Sequence, residues 1–125
     1  KISSINFTST ITTDHIIPAQ QFVVLGTDRR DTDNGGWDNF MWDWGVGDDD
    51  LKNDGETIYI QVSDASPLDV VYYRDNHDNW PDSSDNNNMG LDSNHYNETD
   101  NDDGANWCEQ TPGDITPGEA NVACP

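Results

Sequence analysis

Residues 51–73 read Leu-Lys-Asn-Asp-Gly-Glu-Thr-Ile-Tyr-Ile-Gln-Val-Ser-Asp-Ala-Ser-Pro-Leu-Asp-Val-Val-Tyr-Tyr, and this stretch decides the fold class. Apolar and polar residues alternate from Glu56 to Val62, which is the period of a half-buried strand. Leu68 to Tyr73 is a second short run of β-branched and aromatic residues. The pattern predicts an antiparallel hairpin of 56–62 and 68–73, preceded by a turn at Asn53-Asp54-Gly55.

The segments before the hairpin also have the composition of strands. Residues 1–13 alternate weakly among Ser and Thr and predict one strand, either continuous or broken. Residues 21–25 predict another strand, which Gly26 ends. Residues 37–44 form an aromatic segment whose even positions would share one face in an extended chain. No apolar stripe of helical period and comparable length occurs. We therefore predict an all-β fold with long acidic loops.

Length and charge limit the domain count and the partners. The 125 residues fit one domain, with core strands at 1–73, a long acidic loop region at 74–107 and a tail at 108–125. The formal net charge is -20, from 25 acidic and 5 basic residues. Because recognition of phosphate requires positive charge, nucleic acid and anionic membranes are excluded as expected partners.

The acidic residues are almost all aspartate, with 21 Asp and 4 Glu beside 14 Asn. Asp and Asn favour turns, and their oxygens are ligands that Ca²⁺ prefers. The bias predicts ordered loops stabilised by bound Ca²⁺, and adaptation to high salt is the alternative that composition leaves open. No cluster has the EF-hand pattern, but residues 31–35 and 100–104 alternate oxygen ligands and end in Gly. The residues that we expect to bind Ca²⁺ are Asp31, Asp33, Asp48, Asp50, Asp100 and Asp102.

The chain has two cysteines, Cys108 and Cys124, both near its C-terminal end. In a chain this acidic and rich in tryptophan we predict that they form one disulfide, with a metal-binding pair as the alternative. A disulfide indicates an oxidising compartment, so we expect an extracellular or cell-surface location. No apolar run approaches the roughly 20 residues of a membrane-spanning helix, and we expect no membrane insertion.

Tryptophans and sequons mark candidate surfaces. Trp37, Trp42 and Trp44 are candidates for contact with a glycan or a protein partner, and the alternative is that they thicken a small core. Asn6 and Asn97 begin glycosylation sequons. The three histidines are scattered, and no Gly-x-Ser-x-Gly motif occurs. We therefore expect no catalytic activity.

Five short motifs occur in a fixed order along the chain. They are Ile17-Pro-Ala-Gln-Gln-Phe-Val-Val-Leu-Gly26, Leu51-Lys-Asn-Asp-Gly-Glu-Thr-Ile-Tyr-Ile60, Leu68-Asp-Val-Val-Tyr-Tyr73, Asn79-Trp-Pro81 with Asn106-Trp107, and Thr116-Pro-Gly-Glu-Ala-Asn121. In this order, and over nearly the whole chain, they resemble lamin-tail domains of the secreted bacterial type. The resemblance implies an immunoglobulin-like β-sandwich.

Lamin-tail domains usually begin with two further strands that have no counterpart before Lys1. The expected explanations are that the chain is a fragment, that another chain supplies the strands by strand addition, or that the N-terminal segment rebuilds the sheet. We expect a non-catalytic extracellular module for adhesion or assembly, whose partners are copies of itself or other extracellular proteins. The alternative is a carbohydrate-binding or accessory module of a larger secreted enzyme.

Overall fold

The structure is a computed structural model that describes residues 2–4, 8–9, 16–26, 40–43, 51–61, 65–82 and 87–125. These residues form eight strands and two short 3-10 helices, so the described part of the chain is all-β. The strands are β1 Ile2–Ser4, β2 Thr8–Ser9, β3 Val24–Gly26, β4 Phe40–Asp43, β5 Gly55–Gln61, β6 Pro67–Arg74, β7 Asn88–Leu91 and β8 Trp107–Gln110.

The predicted hairpin is confirmed as the antiparallel pair β5–β6, which has the largest number of paired residues among the described strands. Val62, the last residue of the predicted first strand, lies outside the described residues. Glu56 lies opposite Tyr73 and Ile58 opposite Val71, with a register shift at Ile60/Gln61. Asn53 and Asp54 form the predicted turn before β5. Gly55 has a φ of 118°, and a Cβ atom there would lie 2.7 Å from the Tyr73 carbonyl oxygen, so this position requires glycine.

The N-terminal segment adds to the same sheet, whose strand order is β2-β1-β5-β6. β1 pairs antiparallel with β5, and Ile2 lies opposite Ile60. β1 also pairs antiparallel with β2, so residues 1–13 contain two short paired strands and not one continuous strand. Two short strands that pair satisfy more backbone groups within this polar segment than one strand would. The three explanations for the missing strands depend on the resemblance to lamin-tail domains and stay predictions.

β3 and β4 form a separate parallel pair with a register shift between Val24 and Leu25. The strand expected at residues 21–25 is therefore present but starts at Val24 and includes Gly26. Phe40 to Asp43 is extended as expected, and the rest of the aromatic segment lies outside the described residues.

The prediction of a loop over residues 74–107 is wrong in part. β7 lies inside this range and pairs antiparallel with β8, with Leu91 opposite Trp107. Two 3-10 helices, Asp100–Asp102 and Gly104–Asn106, lie between them. The sequence Asn-Met-Gly-Leu of β7 has weak strand propensity, so the pairing depends on a partner far along the chain.

The predicted disulfide joins Cys108 in β8 to Cys124, with a Cα–Cα distance of 5.8 Å. The Cys124 backbone N–H also donates to Asp92 Oδ2 at 3.1 Å. The first residues of the predicted tail, 108–110, thus belong to a strand, and the end of the chain is held against the loop after β7.

The described core is small. Tyr73 and Trp80 are its buried hydrophobic residues, and Glu56, Asn101 and Gln110 are buried polar residues. Trp80 packs on Trp107 with 5.4 Å between ring centroids. Gly104 lies so close that a Cβ atom there would be 2.7 Å from the Trp80 backbone nitrogen. Close approach of the loop to Trp80 therefore fixes where the two 3-10 helices lie.

Candidate functional site: the outer face of the hairpin and its acidic groove

The β5–β6 hairpin has two chemically different faces. Successive side chains of a strand point to opposite sides, and residues that lie opposite each other across the pair share a side. The register therefore places Glu56, Ile58, Val71 and Tyr73 on one side, which we call the inner face. Thr57, Tyr59, Val70 and Tyr72, continued by Leu68 and Arg74, lie on the other side, which we call the outer face.

The inner face is fixed to the turn before β5. The Tyr73 hydroxyl donates to the Lys52 carbonyl oxygen at 2.6 Å. The Lys52 backbone N–H donates to Glu56 Oε2 at 3.3 Å. Burial, and then the negative charges of Glu56 and Asp54, raise the pKa of Tyr73 to about 12, although the bond to Lys52 opposes the rise. The phenol is therefore neutral at physiological pH, and the inner face is a structural face.

An apolar cavity of about 400 Å³ lies between the inner face and β7–β8. Ile58, Val71, Met89 and Trp107 are among its lining residues. The amides of Asn53, Asn87 and Asn88 lie at the same cavity.

The outer face exposes a row of apolar side chains on β6. Leu68 is 63% exposed, Val70 40% and Tyr72 51%. Because they are two residues apart on one strand, they share one side and lie roughly 7 Å from one another. The Arg74 guanidinium lies 4.8 Å from the centroid of the Tyr72 ring and also pairs with Asp78. Other exposed apolar side chains, such as Ile16 and Val122, occur among the described residues, but these three lie in a row on one strand.

A groove of about 460 Å³ continues from the Tyr72 end of this row. Buried Trp80 and Gly104 also line it. The side chains that give the groove its chemistry are one arginine, three aspartates, one threonine and one tyrosine, and we call it the acidic groove. They are Tyr72, Arg74, Asp78, Thr99, Asp102 and Asp103.

The 3-10 helices hold the acidic side of this groove in place. Asp103 caps the second helix, since its Oδ1 accepts from the Ala105 backbone N–H at 3.0 Å. The Asn106 side-chain amide donates to the Asp100 carbonyl oxygen at 2.9 Å. The Trp107 indole N–H donates to the Asn101 carbonyl oxygen, also at 2.9 Å. The start of the Asp100–Asn106 segment is thus bonded to the side chains of Asn106 and Trp107, which do not line the groove.

Polar contacts occupy the middle of the β6 edge. The Val70 backbone N–H donates to Asp69 Oδ1 at 2.9 Å, and the buried Asn101 amide donates to Asp69 Oδ2 at 2.8 Å. Pro67, the first residue of the strand, has no N–H group. These features are among those that protect an edge strand from pairing with another chain.

The predicted calcium ligands divide into two sets. Asp31, Asp33, Asp48 and Asp50 lie outside the described residues. Asp100 Oδ2 accepts from the Asn97 amide at 2.7 Å and lies 3.0 Å from His95 Nδ1. The hydrogen bond from Asn97 has the largest effect in lowering the pKa of Asp100, and the bond with His95 has the next largest. Asp102 is exposed on the acidic groove.

Across the described ranges, no group of three or more His, Cys, Asp or Glu side chains is placed to hold a metal ion. Asp100 and Asp102 are not part of such a group, and Ca²⁺ binding by all six aspartates stays a prediction.

The predicted ligand surface and sequons lie only partly within the described residues. Trp37, Trp44 and Asn6 lie outside the described residues, and Trp42 is described only by its backbone in β4. The Asn97 side chain is exposed, and its Oδ1 accepts from the backbone N–H groups of Thr99 at 3.0 Å and Asp100 at 2.9 Å. Asn97 thus organises the turn that leads into the first 3-10 helix, and its glycosylation stays a prediction.

Sequence reasoning missed the outer face. The signal was present, because Leu68, Val70 and Tyr72 occupy alternate positions of a strand that was assigned correctly. The acidic groove had no comparable signal, since Asp78 and Asp102 are brought together by the packing of Gly104 on Trp80.

In the part of the chain that the structure describes, no helix has the length and apolar character needed to cross a membrane. Comparison of the chain with family models, curated proteins and solved structures finds no match. The resemblance to lamin-tail domains therefore stays a prediction, and the site must be interpreted from its own chemistry.

Proposed function

We propose that this chain is a non-catalytic extracellular module that acts in adhesion or assembly. The observation that carries the proposal is the exposed apolar row Leu68, Val70 and Tyr72 on the best-paired sheet of the protein. Burying such a row against a partner would contribute about 25 cal/mol per Å² of apolar surface. The disulfide supports an oxidising extracellular location.

We further propose that the four-stranded sheet is one layer of an immunoglobulin-like sandwich of the lamin-tail type. The proposed contact with partners lies on the outer face rather than on the sheet edge. The reason is that β1 covers one edge of β5, and Asp69 and Asn101 occupy the middle of the β6 edge. The Asp69 side chain opposes strand addition at the β6 edge, because a donated strand would first have to displace its carboxylate from the Val70 N–H.

A carbohydrate-binding or accessory module is the second candidate. It is favoured by Tyr72, an exposed ring beside a groove with carboxylate, guanidinium and hydroxyl groups that can bond to sugar hydroxyls.

The test compares wild-type protein with the double variant Val70→Thr/Tyr72→Thr, which keeps strand propensity and removes two of the three apolar side chains of the row. Both are applied to an array of extracellular proteins and to an array of glycans, with Thr57→Ser as a mild control on the outer face. Protein binding that the double variant loses is the expected result. Glycan binding lost in the same variant would favour the second candidate, and turnover of any arrayed substrate would contradict a non-catalytic role.

A further inference from the structure

We infer that the outer face and the acidic groove bind a basic polypeptide segment, an extended stretch of a partner protein that places Lys or Arg next to aliphatic side chains. The inference rests on the proposed function, since it assigns a partner class to the surface proposed there.

The first argument is charge complementarity. The groove contains one arginine and three aspartates, and Arg74 is already paired with Asp78. The carboxylates of Asp102 and Asp103 are exposed on the groove. The whole chain carries a net charge of -20, so its field attracts cationic segments and repels anionic ones.

The second argument is the environment of Arg74, the basic residue that lines the groove. The Arg74 guanidinium lies 4.8 Å from the Tyr72 ring centroid, with the Asp78 carboxylate at its Nη1. An aromatic ring face combined with a carboxylate is a favourable environment for a guanidinium or ammonium group. A partner cation would find carboxylate acceptors at Asp102 and Asp103, on the chain segment beyond Thr99.

The third argument is spacing. The exposed side chains of Leu68, Val70 and Tyr72 recur at every second residue of β6 and lead towards the groove. An extended polypeptide presents its own side chains with the same two-residue period. Aliphatic side chains of the partner can therefore lie on the row while a basic side chain enters the groove. Contact through side chains leaves the Asp69–Asn101 bond intact.

The experiment measures binding of three synthetic peptides by isothermal titration calorimetry. They share the pattern Val-Ser-Val-Ser-Val-Ser-X-Ser, in which X is lysine, glutamate or serine and lies on the same side as the valines. Wild-type protein should bind the lysine peptide, should bind the serine peptide more weakly and should not bind the glutamate peptide. Raising the salt concentration to 1 M shortens the screening length to about 3 Å and should weaken binding of the lysine peptide only.

Substitution of the groove carboxylates tests whether the lysine side chain of the peptide binds in the groove. Asp102→Asn/Asp103→Asn should weaken binding of the lysine peptide by roughly three- to tenfold, the range expected for two exposed charge pairs. Glu98→Gln/Glu119→Gln removes the same charge from exposed positions outside the groove and should change binding by less than about twofold. Near-ultraviolet circular dichroism of each variant checks that the fold is unchanged.

The inference is wrong if the lysine and glutamate peptides bind equally, or if the groove variant and its control behave alike. In both cases the proposed function stands as long as binding still requires Val70 and Tyr72. Binding of a soluble β-linked glucan with no binding of any peptide would overturn the inference in favour of the carbohydrate candidate. If nothing on the arrays or among the peptides depends on Val70 and Tyr72, the proposed function fails as well.

Discussion

The β5–β6 hairpin and the region from Asn87 to Pro125 are ordered by different interactions. The hairpin alternates its side chains between two faces and buries Tyr73 and Glu56 on one of them. The second region has few buried apolar residues, and polar side chains bond to its backbone. Asp92 Oδ1 accepts from the Asn94 N–H at 2.8 Å, and the Asn121 amide donates to the Leu91 carbonyl oxygen at 2.9 Å.

This difference gives the abundance of Asp and Asn a structural role. Short polar side chains bond to nearby backbone groups and so stabilise turns and 3-10 helices without a large apolar core. Where the two regions meet, Trp80 packs on Trp107 and against Gly104. Of the four predictions below, the first two test whether the regions are independent or coupled through this contact.

The largest effect is expected for Trp80→Ala. Trp80 is 7% exposed, so its removal leaves a cavity where the regions meet and should lower the free energy of unfolding by about 3–5 kcal/mol. Leu68→Ala is the matched control, because Leu68 is 63% exposed and its loss should change stability by less than about 0.5 kcal/mol. Urea denaturation followed by fluorescence measures both. Equal losses would mean that Trp80 does not join the regions.

Removing the disulfide should act mainly on the second region. Cys108→Ser/Cys124→Ser is expected to cost about 3 kcal/mol, because the bond closes a loop whose ends are 16 residues apart. Hydrogen exchange should accelerate at amides of 87–125, and the amides of β5 and β6 should keep their protection. Acceleration to the same extent in both regions would show that they unfold as one unit.

Removing Ca²⁺ should show whether the predicted aspartate ligands stabilise the fold. If Asp31, Asp33, Asp48 and Asp50 bind Ca²⁺, a 100-fold excess over the dissociation constant stabilises the protein by about 2.7 kcal/mol. EDTA should then lower the melting temperature, and Asp48→Asn/Asp50→Asn should abolish the response. Asp100→Asn/Asp102→Asn tests the other two predicted ligands, and a response that this variant keeps would assign the ion to the first four. A melting temperature that EDTA leaves unchanged would favour adaptation to high salt instead.

The smallest effect is expected for Tyr73→Phe. Loss of the bond to the Lys52 carbonyl oxygen should cost about 1 kcal/mol at neutral pH. Burial raises the pKa of Tyr73 from 10.0 to about 12, so the unfolded chain loses this proton first and stability falls as pH rises through that window. In Tyr73→Phe this alkaline loss should be smaller. Identical pH profiles for both proteins would contradict the burial of the phenol.

Much of the hairpin could be predicted from sequence because its information is local. Alternation over Glu56 to Gln61, a turn at Asn53-Asp54 and β-branched residues in the partner strand all favour the same structure. The outer face was contained in the same alternation, since a strand with one buried face must expose the other.

The second region could not be predicted in the same way. β7 pairs with β8, whose residues come after two 3-10 helices, and neither strand has a strong pattern of its own. Bonds such as Asn101 to Asp69 join residues 32 positions apart, and no local periodicity records them. The acidic groove depends on these distant contacts, which is why its residues were considered only as calcium ligands or not at all.

The bond between Cys108 and Cys124 also determines how the molecule would carry a mechanical load. Tension applied beyond Cys124 passes through the two sulfur atoms directly into β8 and bypasses the intervening residues, 109–123. Those residues would not extend under tension, and the force would act first on the pairing of β8 with β7. If the proposed role in adhesion holds, the last part of the chain would thus behave as a short inextensible attachment rather than as an elastic tail.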